Sequence, residues 1–262
     1  MIEVNHVSFQ YGEVRALYDV TMEFTTGSFV SIVGPNGSGK TTLSRCMAGF
    51  LRPRSGSIRI DGINIQKLRP RERVQLVGYV FQNPDHQLFK ETVEEEVLFG
   101  LANIGVRGHA ADVRVTSMLE RLELDTKRHM HPFRLARGDR QRLAIAAVAV
   151  LEPRVLIVDE PTTGQDPVRA REIMDVLRDL NRGKGTTLIV VTHAMDLVAE
   201  YAVSIVAMAS GTIVLSGPAR DVFRQAARSD KPPISPPPIV RLGIKLGLDP
   251  LPLTIEEFVR AS

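Results

Sequence analysis

Cysteine is nearly absent from this chain. The single residue, Cys46, leaves no internal disulfide to form, which fits a reducing compartment and a small buried apolar side chain. Charge of either sign is equally scarce in excess. The 33 Lys and Arg stand against 30 Asp and Glu, a formal +3. That is too little to indicate nucleic acid, so none is expected as a partner, and the basic clusters at 52–54 and 67–73 read as solvated faces. Long apolar runs are missing too. The longest, 143–151, falls well short of the roughly 20 residues a membrane span needs. No basic-then-apolar leader opens the sequence, so no export signal is expected. These absences point to the cytoplasm. What is present, 44% hydrophobic and 24% charged residues over 262 positions, is the profile of a folded chain, one large domain with at most a small appendage.

The order of elements is more informative. Runs 2–9 and 20–24 read as strands, and 29–33 is almost wholly apolar, as a strand buried on both faces should be. A Gly-rich turn follows, then a helix over 41–50. Residues 57–60 end at Asp61-Gly62, a hairpin signal, and 77–81 is a further strand. Helical spacing fills 92–124, broken near Gly105 and Gly108, and 140–151 is an Ala-rich helix stopped by Pro153. The apolar runs 155–158 and 187–191 flank helical spacing over 168–180, a βαβ unit. Runs 203–208 and 212–215 close as a hairpin. Residues 230–238, Asp-Lys-Pro-Pro-Ile-Ser-Pro-Pro-Pro, exclude regular helix and central strand and read as a linker or an extended packing arm. Thr254 and Glu257 then have capping-box spacing for a last short helix.

Two motifs carry chemistry. Gly34-Pro35-Asn36-Gly37-Ser38-Gly39-Lys40-Thr41 matches G-x-x-x-x-G-K-[ST] in full, between a strand and a helix. Its glycines let backbone N–H groups curl around phosphate oxygens, and the helix adds its positive end. Lys40 is placed for the β- and γ-phosphates of ATP and the Thr41 hydroxyl for Mg²⁺. The second motif is 155–158 followed by Asp159-Glu160: a carboxylate at the end of a buried strand to hold Mg²⁺ through water, then one to orient and deprotonate the attacking water.

Together these residues resemble the ATP-binding-cassette (ABC) ATPases, and the likeness runs over almost all of 1–220. It implies an α/β fold: a P-loop NTPase, RecA-like core with an antiparallel β subdomain and an inserted α-helical subdomain. The expected division is a nucleotide-binding domain over 1–225, the helical part at about 84–150, and a Pro-rich C-terminal extension over 226–262. By resemblance Tyr11 stacks on adenine, Gly34 to Thr42 cradle the nucleotide, Gln82 touches Mg²⁺ at the Q-loop, Thr192-His193 holds the switch histidine, and Asp166 lies in the D-loop between two ATPases. Glu160, His193 and Gln82 are thus the expected catalytic residues, with Thr41, Gln82 and Asp159 at the metal.

One motif departs. Where the family has Leu-Ser-Gly-Gly-Gln, this chain has Leu135-Ala136-Arg137-Gly138-Asp139. In the family the serine hydroxyl and first glycine contact the γ-phosphate held by the opposite subunit. Ala136 lacks the hydroxyl and Arg137 adds a cation, so the deficit falls on the partner's site, and on both sites if the chain pairs with itself. Losing one charge-assisted hydrogen bond costs on the order of 1.5–3 kcal/mol. The segments 80–89 and 91–100 with 159–166, and less specifically the end of the chain at 252–258, similar to an arm through which two such ATPases contact one another, resemble energy-coupling-factor (ECF) transporter ATPases. That likeness implies a second ATPase (a copy or a paralogue), a transmembrane coupling protein, a substrate-binding membrane subunit, a vitamin or transition-metal ion as cargo, and a peripheral place on the cytoplasmic face of the membrane. The acidic run 94–96 reads either as a solvated helix face or as the receiver of a basic coupling helix. The ATPase of another ABC transporter, a soluble non-transport ABC ATPase, and a nucleotide-gated subunit without turnover stay open as alternatives.

Overall fold

The computed structural model describes residues 1–229 and 232–261. In chain order the elements are β1 (Ile2–Tyr11), β2 (Val14–Phe24), β3 (Phe29–Val33), α1 (Lys40–Met47), β4 (Ser55–Ile60), β5 (Ile63–Asn64), α2 (Pro70–Leu76), β6 (Val77–Val80), α3 (Val93–Ile104), α4 (His109–Arg121), α5 (Arg137–Ala149), β7 (Val155–Asp159), α6 (Pro167–Lys184), β8 (Thr187–Val191), α7 (Met195–Tyr201), β9 (Ser204–Ala209), β10 (Thr212–Pro218), α8 (Ala219–Ala227), α9 (Pro238–Lys245) and α10 (Ile255–Ala261). Two sheets result. One is antiparallel, in the order β2-β1-β4-β5; the other runs β10-β9-β3-β8-β7-β6, parallel from β9 to β6 with β10 antiparallel at its edge. This is the expected α/β architecture with its antiparallel and helical parts.

Strand alternation divides the core. Leu156, Val158, Leu188 and Val190 point to α3, α4, α5 and α6, packing with Val97, Leu119, Leu143 and Leu177. Val155, Ile157, Ile189 and Val191 point the other way, into a layer shared with α1 and the antiparallel sheet through Leu43, Met47, Leu17 and Ile58. Asp159, two residues after Ile157, inherits this second side. Residues Ile32 and Asp159 both register with Val191, so the carboxyl ends of β3, β8 and β7 lie level, where open α/β sheets gather their ligands.

The structure differs from the sequence reading at several element ends. β1 and β2 are longer than expected, because a shifting register lets His6 and Asp19 take positive φ inside the pair. α1 stops at Met47, with Gly49 at φ +73° turning the chain. The basic cluster 67–73 is solvated as expected at Lys67, Arg69 and Arg71; it leads into α2, opened by Pro70 and by Glu72 reaching back to the Arg69 amide, and only Arg73 turns inward, donating to the carbonyls of Gly49 and Leu68. α5 begins at Arg137, three residues early. The proline-rich stretch is a packing arm where it is described, Asp230 and Lys231 lying outside the described residues. Ile234, Val240, Leu251 and Leu253 are buried against Val198, Ala207 and Phe223. The last helix is capped as read, with Thr254 Oγ1 accepting from the Glu257 amide at 3.2 Å.

Candidate active site

The turn between β3 and α1 forms a nest that only glycine permits at its ends. Gly34 has φ +145°, and a Cβ there would lie 2.2 Å from the Met208 carbonyl oxygen; Gly39, at φ +100°, would meet the Ala16 carbonyl at 2.7 Å. Pro35, Asn36 and Gly37 complete the curve. Ser38 Oγ is buried and makes no hydrogen bond among the described residues, an orphan suited to a phosphate oxygen. Lys40 is buried, and its Nζ donates to the carbonyls of Gly34 (2.9 Å) and Pro35 (3.0 Å). Burial lowers its pKa from the ordinary lysine value, while the carboxylates of Glu160 and Asp159 work in the opposite sense. Tyr11 is exposed at the rim, its hydroxyl 3.5 Å from Thr42 Oγ1.

The two carboxylates after β7 face different surroundings. Asp159 Oδ1 accepts from Thr41 Oγ1 at 3.4 Å and Oδ2 from the Tyr79 hydroxyl at 2.9 Å. Burial raises its pKa above the usual carboxylate range, against those hydrogen bonds. Glu160 turns the chain with φ +50°, unusual for a residue with a side chain, and its amide donates to the Val191 carbonyl at 2.8 Å. The turn swings its carboxylate toward the next strand end: Oε1 lies 2.9 Å from His193 Nδ1, and Oε2 accepts from Thr163 Oγ1 at 3.1 Å. Lys40, Thr41, Asp159, Glu160 and His193 are therefore gathered at the carboxyl ends of the central strands β3, β7 and β8. The oxygens of Thr41 and Asp159 are a sparse hard-donor pair. That suits Mg²⁺, which keeps waters and takes phosphate oxygens as further ligands.

The remaining sites lie around this centre. Gln82 is exposed just beyond β6. Asp166 caps α6, accepting from the amides of Val168 and Arg169. Ala136 is the N-cap of α5 and supplies no side-chain cap. The Arg137 guanidinium covers the D-loop of its own chain, since a Cβ on Gly164 would lie 2.6 Å from Nη1. Gly138 packs beside Gln165 and Arg169, while Asp139 is buried and accepts from Lys127 Nζ at 2.6 Å.

A family model described as ABC transporter matches residues 17–163. The chain belongs to the ABC transporter family. It is 43% identical over 254 residues to a "Putative ABC transporter ATP-binding protein" of Methanosarcina mazei, covering 94% of this chain but 43% of that protein; the chain thus spans less than half the length of the first such relatives. It is 37% identical over 273 residues to "Energy-coupling factor transporter ATP-binding protein EcfA2" of Streptococcus thermophilus, covering 98% of this chain and 97% of that one. Among solved structures, cbiO1 from Clostridium perfringens, "Part of the ABC transporter complex cbiONQ", superposes with a TM-score of 0.79 at 35% identity, over 85% of this chain and 90% of that one. The ATP-binding cassette MJ0796, a dimer bound to ADP and Pi, superposes at 0.75 with 28% identity, over 84% and 99%.

Several residues of this ABC cassette's site escaped the sequence reading. Tyr79 and Thr163 touch the two carboxylates directly. Gln87 bridges the core to α5: its Oε1 accepts from the Phe81 amide (3.4 Å) and its Nε2 donates to the Ala144 carbonyl (2.8 Å). Arg140 adds an ion pair to Asp85 at 2.9 Å. Gln87, Thr163 and Arg140 stand in or beside the sequence motifs, but nothing in the sequence says what each one touches; that is visible only in the fold. The acidic run 94–96 fits neither of its two readings as a unit. Glu96 is buried and accepts from the amides of Phe89 and Lys90, both at 2.8 Å. Glu94 pairs with Arg128. Glu95 alone is free to face a groove of about 520 Å³, walled by Phe89, Lys90, Leu98 and Phe99.

Proposed function

We infer that this chain is the ATP-binding and ATP-hydrolysing subunit of a membrane importer of the ECF type, taking up a vitamin or a transition-metal ion. The observation that carries the reading is the meeting of Lys40, Thr41, Asp159, Glu160 and His193 at the level ends of β3, β7 and β8. Glu160 is held by Thr163 and His193 so that its carboxylate is aimed and accepting, the posture of a base toward water. Lys40 and the Gly34–Gly39 amides suit the phosphates, the Tyr11 ring an adenine, and Thr41 with Asp159 a Mg²⁺, which when bound would neutralise phosphate charge. Near-complete coverage of an ECF ATPase supports the importer type.

A second ATPase, a copy or a paralogue, would supply the signature residues Ala136–Asp139 across the interface, with Asp166 beside them. The groove lined by the packed rings of Phe89 and Phe99 together with Leu98 would receive a helix of the transmembrane coupling protein, with Glu91 and Glu95 favouring a basic one. Gln82 and the segment clamped by Gln87 to α5 would carry closure to that groove. No helix among the described residues is long and apolar enough to cross a membrane, so the importer reading requires such partners and a peripheral place on the cytoplasmic face.

The test is isolation from mildly solubilised native membranes. A multi-helix coupling protein, a small substrate-binding membrane protein and MgATP hydrolysis in one complex are expected. Recovery with ribosomes or nucleic acid and no membrane protein overturns the transporter reading. Within that complex, Glu95→Lys should lower membrane recruitment with nucleotide binding unchanged; full recruitment would remove the groove.

A further inference from the structure

Asp159 belongs to a closed ring of hydrogen bonds. Thr41 Oγ1 donates to Asp159 Oδ1 (3.4 Å) and the Tyr79 hydroxyl donates to Oδ2 (2.9 Å). Ser44 Oγ lies 3.2 Å from the Tyr79 oxygen and donates back to the Thr41 carbonyl at 3.0 Å. The protons assign themselves. With the Ser44 proton on the Thr41 carbonyl, Ser44 has only lone pairs to offer Tyr79, and an ionised Asp159 has nothing else. The single phenol proton therefore goes to the carboxylate, the nearer acceptor. Tyr79 and Ser44 are buried, so water does not compete for it.

The ring is held by its surroundings. Tyr79 packs edge-on against Phe50 (centroids 5.2 Å) and Phe81 (5.0 Å), which stack on each other at 5.7 Å. The β6–β7 register pairs Tyr79 with Ile157, so its side chain shares the Asp159 face. Its hydroxyl is thus delivered to one oxygen of one carboxylate.

We propose that Tyr79 is a specificity-determining positioning residue, one that occupies Asp159 Oδ2 so that the carboxylate can offer a cation only Oδ1 and thereby selects Mg²⁺ over Ca²⁺. The inference rests on the MgATP reading of the site. Mg²⁺ demands compact octahedral geometry and keeps its waters, so it needs a single carboxylate oxygen, directly or through water. Ca²⁺ takes six to eight oxygens and gains from a bidentate carboxylate. The phenol takes one lone pair of Oδ2 at 2.9 Å and fixes the carboxylate plane, while the longer 3.4 Å Thr41 contact leaves Oδ1 the easier oxygen to offer, so a bidentate approach is disfavoured.

The experiment uses the full chain with a non-hydrolysable ATP analogue and Mn²⁺ as a paramagnetic reporter, displaced by Mg²⁺ or by Ca²⁺. Tyr79→Phe keeps the aromatic packing and removes only the hydroxyl. The expected result is a shift of the Ca²⁺/Mg²⁺ affinity ratio toward Ca²⁺ by roughly fivefold to tenfold, the scale of one hydrogen bond. Tyr79→Leu should give the same shift on a less stable chain, which separates the hydroxyl from the packing. An unchanged ratio in Tyr79→Phe, with tight metal–nucleotide binding in the parent, overturns the role of Tyr79 alone. A parent chain that binds no metal–nucleotide overturns the underlying site reading and this inference with it.

Discussion

The phosphate-loop half of the molecule and the signature half answer the same chemistry in opposite ways. Around Gly34–Thr41, Asp159 and Glu160, polar groups are held at a cost: an orphaned Ser38 hydroxyl, an aspartate raised and a lysine lowered in pKa by burial, and a glutamate at positive φ. Around Ala136–Asp139 most side chains find partners within the chain, although α5 has no side-chain N-cap and Gln141 Nε2 is buried without a hydrogen bond. Asp139 is satisfied by Lys127, Arg137 lies over Gly164, and Arg140 pairs with Asp85. The strain and the unmet hydrogen bond at the phosphate loop are of the kind a charged ligand relieves. The first half is therefore suited to a charged ligand, while the second is held mainly by partners within its own chain.

The sharpest break of that comparison is Glu160→Gln. The amide still accepts from Thr163 but cannot take a proton, so phosphate release should fall by about 10²-fold or more. Nucleotide binding should persist, with a closed dimer accumulating in size-exclusion runs. Full turnover would remove Glu160 as the base. A smaller effect is expected from Ala136→Ser, which acts twice. In the proposed pairing it would place a hydroxyl toward a partner's nucleotide, and it gives α5 the side-chain N-cap it lacks. Capping alone should stabilise the chain by about 1 kcal/mol. A self-paired enzyme should also gain roughly tenfold in turnover. Stability rising without turnover would show that the missing hydroxyl does not limit the reaction.

The same contrast explains what the sequence made legible. Gly34, Gly39 and Lys40 are visible because a nest tolerates few alternatives and its residues are contiguous. Asp159 and Glu160 are visible because two acids end an apolar run. The partners of those acids were not. Tyr79 reads as one more apolar residue in 77–81, and its hydroxyl reaches Asp159 only through the β6–β7 pairing. Glu96 looked like one charge in an acidic run until the Phe89–Lys90 turn was seen folded over it. Long-range pairing between residues that carry no local mark is what a single chain hides. Helix α2 is hidden for another reason: its exposed arginines give no apolar periodicity, and only Pro70 and Glu72 mark its start.

The smallest effect tests whether the phosphate-loop half really carries a stored cost. The folded chain holds Asp159 above its unfolded pKa, chiefly by burial. Between the unfolded value and the raised one, the native state binds more protons than the unfolded chain. Stability therefore falls as pH climbs through that window, and above it the ionised carboxylate carries a fixed penalty. Asp159→Asn removes the ionisation and keeps an acceptor for Tyr79. Without nucleotide the variant should melt higher than the parent at pH values above the raised pKa, with the gain shrinking as pH falls through the window toward the ordinary aspartate range. Scanning calorimetry across that range reads it directly. A variant that melts lower at neutral pH would mean the carboxylate is a structural partner of Tyr79 and Thr41 first. The cost assigned to the phosphate-loop half would then rest on Ser38, Lys40 and the Glu160 backbone alone.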